Sequence, residues 1–128
     1  MTVTKALIIA SPFIERILAG IKTWEMRSTA TKQRWRIALV RKGSGLVVGT
    51  VELSDSIGPF TQTQMLDNTD RHRIETDRIL SGAVDKWKYA WVLRDVRPLA
   101  QPVTYSHPPG AVIWVSLDTA TQSKLAGA

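Results

Sequence analysis

The sequence predicts an α+β fold: a small, mixed, mostly antiparallel β-barrel of five to six strands, with two to three short helices covering its openings. Three observations lead there. Several segments of strand length are apolar or alternate apolar and polar residues. The helical spacings are brief, and they fall between strands. Glycine and proline clusters such as Lys42-Gly43-Ser44-Gly45 and His107-Pro108-Pro109-Gly110 punctuate the chain as turns. At 128 residues the chain has room for one domain with a real core, spanning about residues 5–117, followed by a C-terminal tail at 118–128.

Residues 3–10 contain Leu7, Ile8 and Ile9 and read as a short buried strand. A helix follows at about 12–19. Ser11 suits its N-cap, and Pro12 suits the first turn, where a missing N–H costs nothing. Ile14, Ile17 and Leu18 form one apolar stripe, and Gly20 can take the positive φ that ends a helix. Residues 23–28 are a strand, whose alternation puts Glu25 and Arg27 on one face and Trp24 and Met26 on the other. Lys22 stands at the turn before it.

Residues 34–42 form the next strand, with Trp35, Ile37 and Leu39 in phase toward the core and Arg34 and Arg36 on the opposite face. After the glycine turn, a strand at about 46–54 sets Val47, Gly49, Val51 and Leu53 on one face, and Gly49 marks a bulge or a close approach. Thr61 and Gln64 form a capping box opening a short helix at 62–67. Residues 71–80 make a second helical piece, stopped near Gly82 and laid over the sheet by a thin apolar stripe. The strand at 88–97 turns Tyr89, Trp91 and Leu93 one way and Ala90, Val92 and Arg94 the other. Pro98 and Pro102 mark its exit, 103–105 add a short strand, and 111–117 form the last one around Trp114. The small, polar tail from Thr119 frays or forms a loose helical end.

Composition excludes several classes. With no cysteine there is neither a disulfide nor a thiolate metal site, and His72 and His107 lie too far apart in sequence to suggest zinc. No metal and no cofactor are expected. No apolar run reaches membrane-spanning length, and a helix cap replaces the cleavage site a signal peptide would need, so a cytoplasmic location is expected. The net charge of +6 points to a polyanionic partner, nucleic acid or nucleotides first, with a merely basic surface as the alternative.

Four constellations carry chemistry. Lys22, Glu25 and Arg27 can hold or activate a polar substrate, or brace the barrel as an ion cluster. Partial burial near a second cation lowers a lysine pKa toward that of a base or nucleophile. Arg34, Arg36 and Arg41, with Lys32 and Lys42, form a basic run that can face phosphate, with Trp35 assigned to the core. Among Trp24, Trp87, Tyr89, Trp91, Tyr105 and Trp114, one or two can wall a flat ring while the rest build the core. His72 and Glu75, three apart on the second helical piece, share a face, where Glu75 is a general acid or base or a solvent-facing carboxylate.

The stretch Ile17-Leu-Ala-Gly20-Ile-Lys22-Thr-Trp-Glu25-Met-Arg27 resembles the signature of ASCH domains, Gly-x-Lys-x-x-Glu-x-Arg after a short helix. The segments Tyr89-Ala-Trp91-Val-Leu, Pro102-Val and Gly110-Ala-Val-Ile-Trp114 are similar to that family's closing strands. The resemblance implies a PUA-like β-barrel with a cleft beside the motif, and RNA or modified-nucleoside binding. It also implies relatives that remove the acetyl group from N4-acetylcytidine with a Lys, Thr and Glu arrangement, and others associated with RNA cleavage. Lys22 matches that lysine. Glu25 stands where those hydrolases have threonine, and Glu75 is the counterpart of the distant glutamate, with Asp77 as its rival. The leading expectation is an RNA- or nucleoside-binding cleft in which Arg27, Arg34, Arg36 and Arg41 contact phosphate and Trp24 or Tyr89 stacks a base. In the enzyme alternative, Lys22 is nucleophile or base for deacylation and Glu25 or Glu75 moves protons. A third class is a module docking an acidic protein. The oligomeric state stays open.

Overall fold

A computed structural model describes residues 2–128. Six strands, β1 (Lys5–Ile9), β2 (Trp24–Arg27), β3 (Trp35–Arg41), β4 (Leu46–Ile57), β5 (Tyr89–Thr104) and β6 (Trp114–Ser116), form one sheet in the order β2-β5-β4-β3-β1-β6. The β1–β3 pair is parallel, and the other pairs are antiparallel. Five short helices decorate it: α1 (Phe13–Leu18), α2 (Gln62–Leu66), α3 (Thr69–His72), α4 (Thr76–Leu80) and α5 (Thr119–Ala126).

Two contacts show that the sheet curls. Arg27 on β2 donates from Nη2 to the carbonyl oxygen of Ile8 on β1 at 2.9 Å, although β2 and β1 are four places apart in the strand order. A flat sheet would separate them by about 19 Å, beyond an arginine's reach. Trp91 of β5 and Trp114 of β6, also four places apart, stack with ring centroids 5.6 Å apart. The sheet is therefore a half-barrel whose two edge regions approach each other.

Side-chain alternation fills it. Leu7, Ile9, Ile37, Leu39, Val51, Leu53, Trp91 and Leu93 pack together, joined by Ile14 and Ile17 of α1. Their neighbours Ala6, Ile8, Ala38, Val40 and Val115 point the other way, into a cluster closed by Leu125 of α5. The far face of β2 sets Trp24 and Met26 against Met65, Ile74, Ile79 and Val84.

The α+β half-barrel and its mostly antiparallel strands agree with the sequence reading. Several details differ, each for a local reason. Pro12, not Ser11, occupies the α1 N-cap, and the Ser11 hydroxyl instead donates to Glu15 Oε1. Trp35 has φ +79° and is 64% exposed, so the left-handed backbone turns it out of phase with Ile37 and Leu39. Val47 leaves the face of Val51 and Leu53, because the β4–β5 register shifts between Val47 and Gly49. Gly49 meets both expectations placed on it: it lies at this irregularity, and a Cβ there would come 2.7 Å from Leu18 Cδ2 and 3.1 Å from the Arg97 carbonyl oxygen.

The helical piece at 71–80 breaks at Arg73, with φ +58°, into α3 and α4. His72 therefore ends one helix and Glu75 N-caps the next, so the two do not share a helical face. The region is also more deeply buried than a thin stripe implies, with His72 at 0% and Ile79 at 1% exposure. β5 runs on through Pro98 and Pro102, since Pro98 sits opposite Gly49 where the ladder is irregular. The last strand starts at Trp114, later than expected. The tail from Thr119 is α5, capped by Asp118, whose Oδ1 accepts from the Thr121 N–H at 2.8 Å. The split and the tail bring the helices from two or three to five.

Candidate functional site

The end of α1 sets up the site. Gly20, at φ +77°, reverses the chain, and the Ile21 and Lys22 N–H groups both donate to the Arg16 carbonyl oxygen. This fixes the Lys22 backbone with its side chain turned inward, 2% exposed. Its Nζ donates to the His72 carbonyl oxygen at 2.5 Å and lies 3.7 Å from Glu25 Oε1. Alternation along β2 then brings Glu25 and Arg27 to the same side. Glu25 Oε2 accepts from Arg27 Nη2 at 2.9 Å, and the Arg27 guanidinium lies 5.5 Å over the Trp91 ring.

These three side chains line one cavity of about 220 Å³ at the seam where β2 approaches β1. Phe13, Met26, Ile74, Trp87 and Val112 supply its apolar walls, and the exposed Lys42 also borders it. Phe13 and Trp87 meet edge to face, their ring centroids 6.3 Å apart. Arg27 Nε is buried and has no hydrogen-bond partner. A buried charged donor left unpaired is costly, and here it belongs to a residue that lines a cavity.

The electrostatics follow from burial. Burial lowers the Lys22 pKa to about 8. The Glu25 carboxylate opposes the shift, while the Arg16 and Arg27 charges add to it. His72 is held below its usual value mainly by burial. Its Nδ1 accepts from the Ile74 N–H at 2.9 Å, so Nε2–H donates to the Met65 carbonyl oxygen at 2.7 Å and the ring is neutral. It is a satisfied core histidine whose carbonyl also anchors Lys22. Chemically, the cavity offers an acceptor in Glu25 and donors in Lys22 and Arg27 beside aromatic walls. That set suits a flat, polar-edged ligand.

The remaining sequence candidates lie elsewhere. Glu75 is exposed and does not line the cavity; Asp77 is exposed too. Trp24 is buried on the far face of β2, stacked on Phe60 at 5.3 Å. Tyr89 is half-buried at the start of β5, opposite Arg27, and is not a lining residue. Arg41 pairs with Glu15 at 2.6 Å, Arg36 with Asp95, and Arg34 with Asp55 at 3.7 Å. Phe13 and Trp87 are the aromatic lining. Trp87 is one of the aromatics the sequence offers as a wall for a flat ring, whereas Phe13, inside the helix expected at 12–19 but outside its Ile14, Ile17 and Leu18 stripe, carries no signal of its own.

The ASCH domain family model matches residues 7–102. The chain belongs to the ASCH domain family. Its fold is PUA-like, a fold associated with RNA binding. This ASCH domain is similar to the ASCH protein of Zymomonas mobilis, with a TM-score of 0.72 at 18% identity over 96% of this chain and 93% of that one. Two single-substitution variants of that protein give 0.70 and 0.71, again at 18% identity and 96% of this chain, covering 96% and 94% of theirs. At such identity the likeness is one of fold. No curated protein matches the sequence. Among the described residues, no group of three His, Asp or Glu side chains is placed to hold a metal ion, and no helix is long and apolar enough to cross a membrane.

Proposed function

We propose that the Lys22–Glu25–Arg27 cavity binds one nucleobase, as a modified nucleoside or as a base presented by RNA. The observation that carries this reading is the convergence of a carboxylate and two cations, one with an unpartnered buried N–H, beside Phe13 and Trp87. A base edge presents donors and acceptors in one plane, matching Glu25 as acceptor and Arg27 as donor. The cavity volume of about 220 Å³ falls below the roughly 300–1,000 Å³ of drug-sized sites, which suits a single base or nucleoside. The net charge of +6 favours the polyanion to which such a base would belong.

Calorimetric titration with cytidine, N4-acetylcytidine and a short single-stranded RNA tests the reading. Binding should weaken about tenfold to a hundredfold in Arg27→Ala, the loss of a charged hydrogen bond. Equal binding by wild type and variant, with the variant folded, sinks the assignment.

A second reading rests on the Lys22 pKa of about 8. A lysine so placed is partly neutral near pH 8 and can take a proton from a water attacking an acylated cytidine amide. The water oxygen bonds to the acyl carbon as the acyl carbon–N4 bond breaks; the proton on Lys22 passes through Glu25, 3.7 Å away, to the leaving amine nitrogen, and the acyl group leaves as a carboxylate. Glu75 does not line this cavity, so proton transfer in this scheme falls to Glu25. Following the absorbance of N4-acetylcytidine is the check: absent turnover, or turnover unchanged in Lys22→Ala, removes the hydrolase reading and leaves binding.

A further inference from the structure

Trp35 is a large aromatic residue that is 64% exposed and held at φ +79°. For a bulky side chain that backbone is strained, and such strain persists only where the surrounding structure enforces it. Here the ladder enforces it, because Trp35 still pairs with Leu53 while its ring is turned away from the core side of β3. Alternation alone would have buried it with Ile37.

The ring stands in a groove of about 400 Å³ lined also by Lys5, Lys32, Arg34 and Arg36, with no carboxylate among the lining residues. The two arginines are held in place. Arg34 Nη1 donates to the Thr31 and Gln33 carbonyl oxygens at 2.9 and 2.7 Å, and Arg36 pairs with Asp95. Asp55 and Asp95 offset the charge of these arginines. Lys5 donates to the Ser116 hydroxyl, and among the described residues neither Lys5 nor Lys32 pairs with a carboxylate. Lys5 opens β1, whereas Ile8 and Ala10 at its other end line the first cavity. The groove and the cavity are therefore about 10–16 Å apart along the strand.

An exposed aromatic plane surrounded by cations matches one chemistry above others: a base stacked on the ring with its flanking phosphates on the lysines and arginines. We propose that Trp35, with Lys5, Lys32, Arg34 and Arg36, is a second contact site for single-stranded RNA, separate from the Lys22 cavity. It reads stacking and charge, not base edges, so it tolerates any sequence. It requires an unpaired base, since a duplex keeps its bases stacked on one another.

Fluorescence anisotropy of a labelled oligouridylate of about 12 nucleotides tests this, at about 50 and 200 mM salt. Trp35→Ala should weaken binding at least about fivefold, whereas Trp35→Phe, which keeps a ring, stays near wild type. Lys5→Gln with Lys32→Gln should reduce the slope of log affinity against log salt by about 1.4. A duplex of the same length should show no dependence on Trp35. Unchanged affinity in Trp35→Ala overturns the proposal. So does absence of oligonucleotide binding by the wild type at low salt, which would leave an acidic protein as the occupant. Titrating the same variants with N4-acetylcytidine separates the two sites. If Trp35→Ala weakens RNA binding while no nucleoside binds, the groove stands and the cavity reading fails. If Arg27→Ala abolishes RNA binding and Trp35→Ala does not, the reverse holds.

Discussion

Lys22 concentrates the chemistry of the site in one residue. Its ammonium is buried against a carbonyl and a carboxylate, and burial outweighs the support of the Glu25 carboxylate enough to bring the pKa to about 8. An unfolded lysine titrates at 10.5. Between the two values the unfolded chain holds more protons than the folded one, so stability rises with pH through that window. Lys22→Met removes the group. The wild type should therefore gain up to about 3 kcal/mol relative to this variant between pH 8 and 10.5, read from denaturant titrations at each pH. Stability curves that stay parallel would mean that Lys22 titrates normally. At this scale the strand alternation of residues 24–27 was legible, because the period of two needs only a list of residue types. Trp35 was not, since nothing in its side chain announces a positive φ. Neither was Arg73, whose left-handed turn splits a helix that the spacing of apolar residues allowed.

Elements meet through close approaches that a single sequence hints at only through glycine. α1 rests on the sheet where β4 has no side chain at Gly49, and the Leu18 methyl fills that space. Gly49→Ala should cost about 1–3 kcal/mol, because the added methyl meets a backbone carbonyl as well as Leu18. Since Leu18 is part of the clash, a double-mutant cycle with Leu18→Ala should show a smaller loss than the sum of the two singles. Additive losses would place the strain on the carbonyl alone. The C-terminal segment makes the opposite case. Its small, polar composition reads as a fraying or loosely helical end; the helix forms, but it is docked and not loose, since Asp118 caps α5 and Leu125 is buried against the outer cluster. Leu125→Ala should then cost about 2–3 kcal/mol in thermal or chemical unfolding; a change within about 0.5 kcal/mol would mean the helix contributes nothing. One apolar residue per turn was too sparse a pattern to reveal that docking.

The whole molecule explains why the site exists. Curling brings β2 to β1 across the open side of the half-barrel, and the Arg27–Ile8 hydrogen bond marks the seam. Lys22, Glu25 and Arg27 were legible as a group because they are close in sequence. Phe13, Ile74, Trp87 and Val112 come from four distant segments and join them only through the curl, so local patterns could not assemble the walls. The displaced candidates follow the same logic: Glu75 belongs to an exposed helix start, and Arg34 and Arg36 lie toward the far end of β3 from Lys42. This seam is proposed to hold a nucleobase against the Lys22, Glu25 and Arg27 side chains. The most direct measurement is a nitrogen-edited NMR titration of the labelled protein with N4-acetylcytidine, following arginine Nε–H and tryptophan indole signals. Saturable shifts of the Arg27 Nε–H and the Trp87 indole are expected, with Trp24 little changed. Shifts confined to other residues, or none at saturating nucleoside, would contradict the proposal.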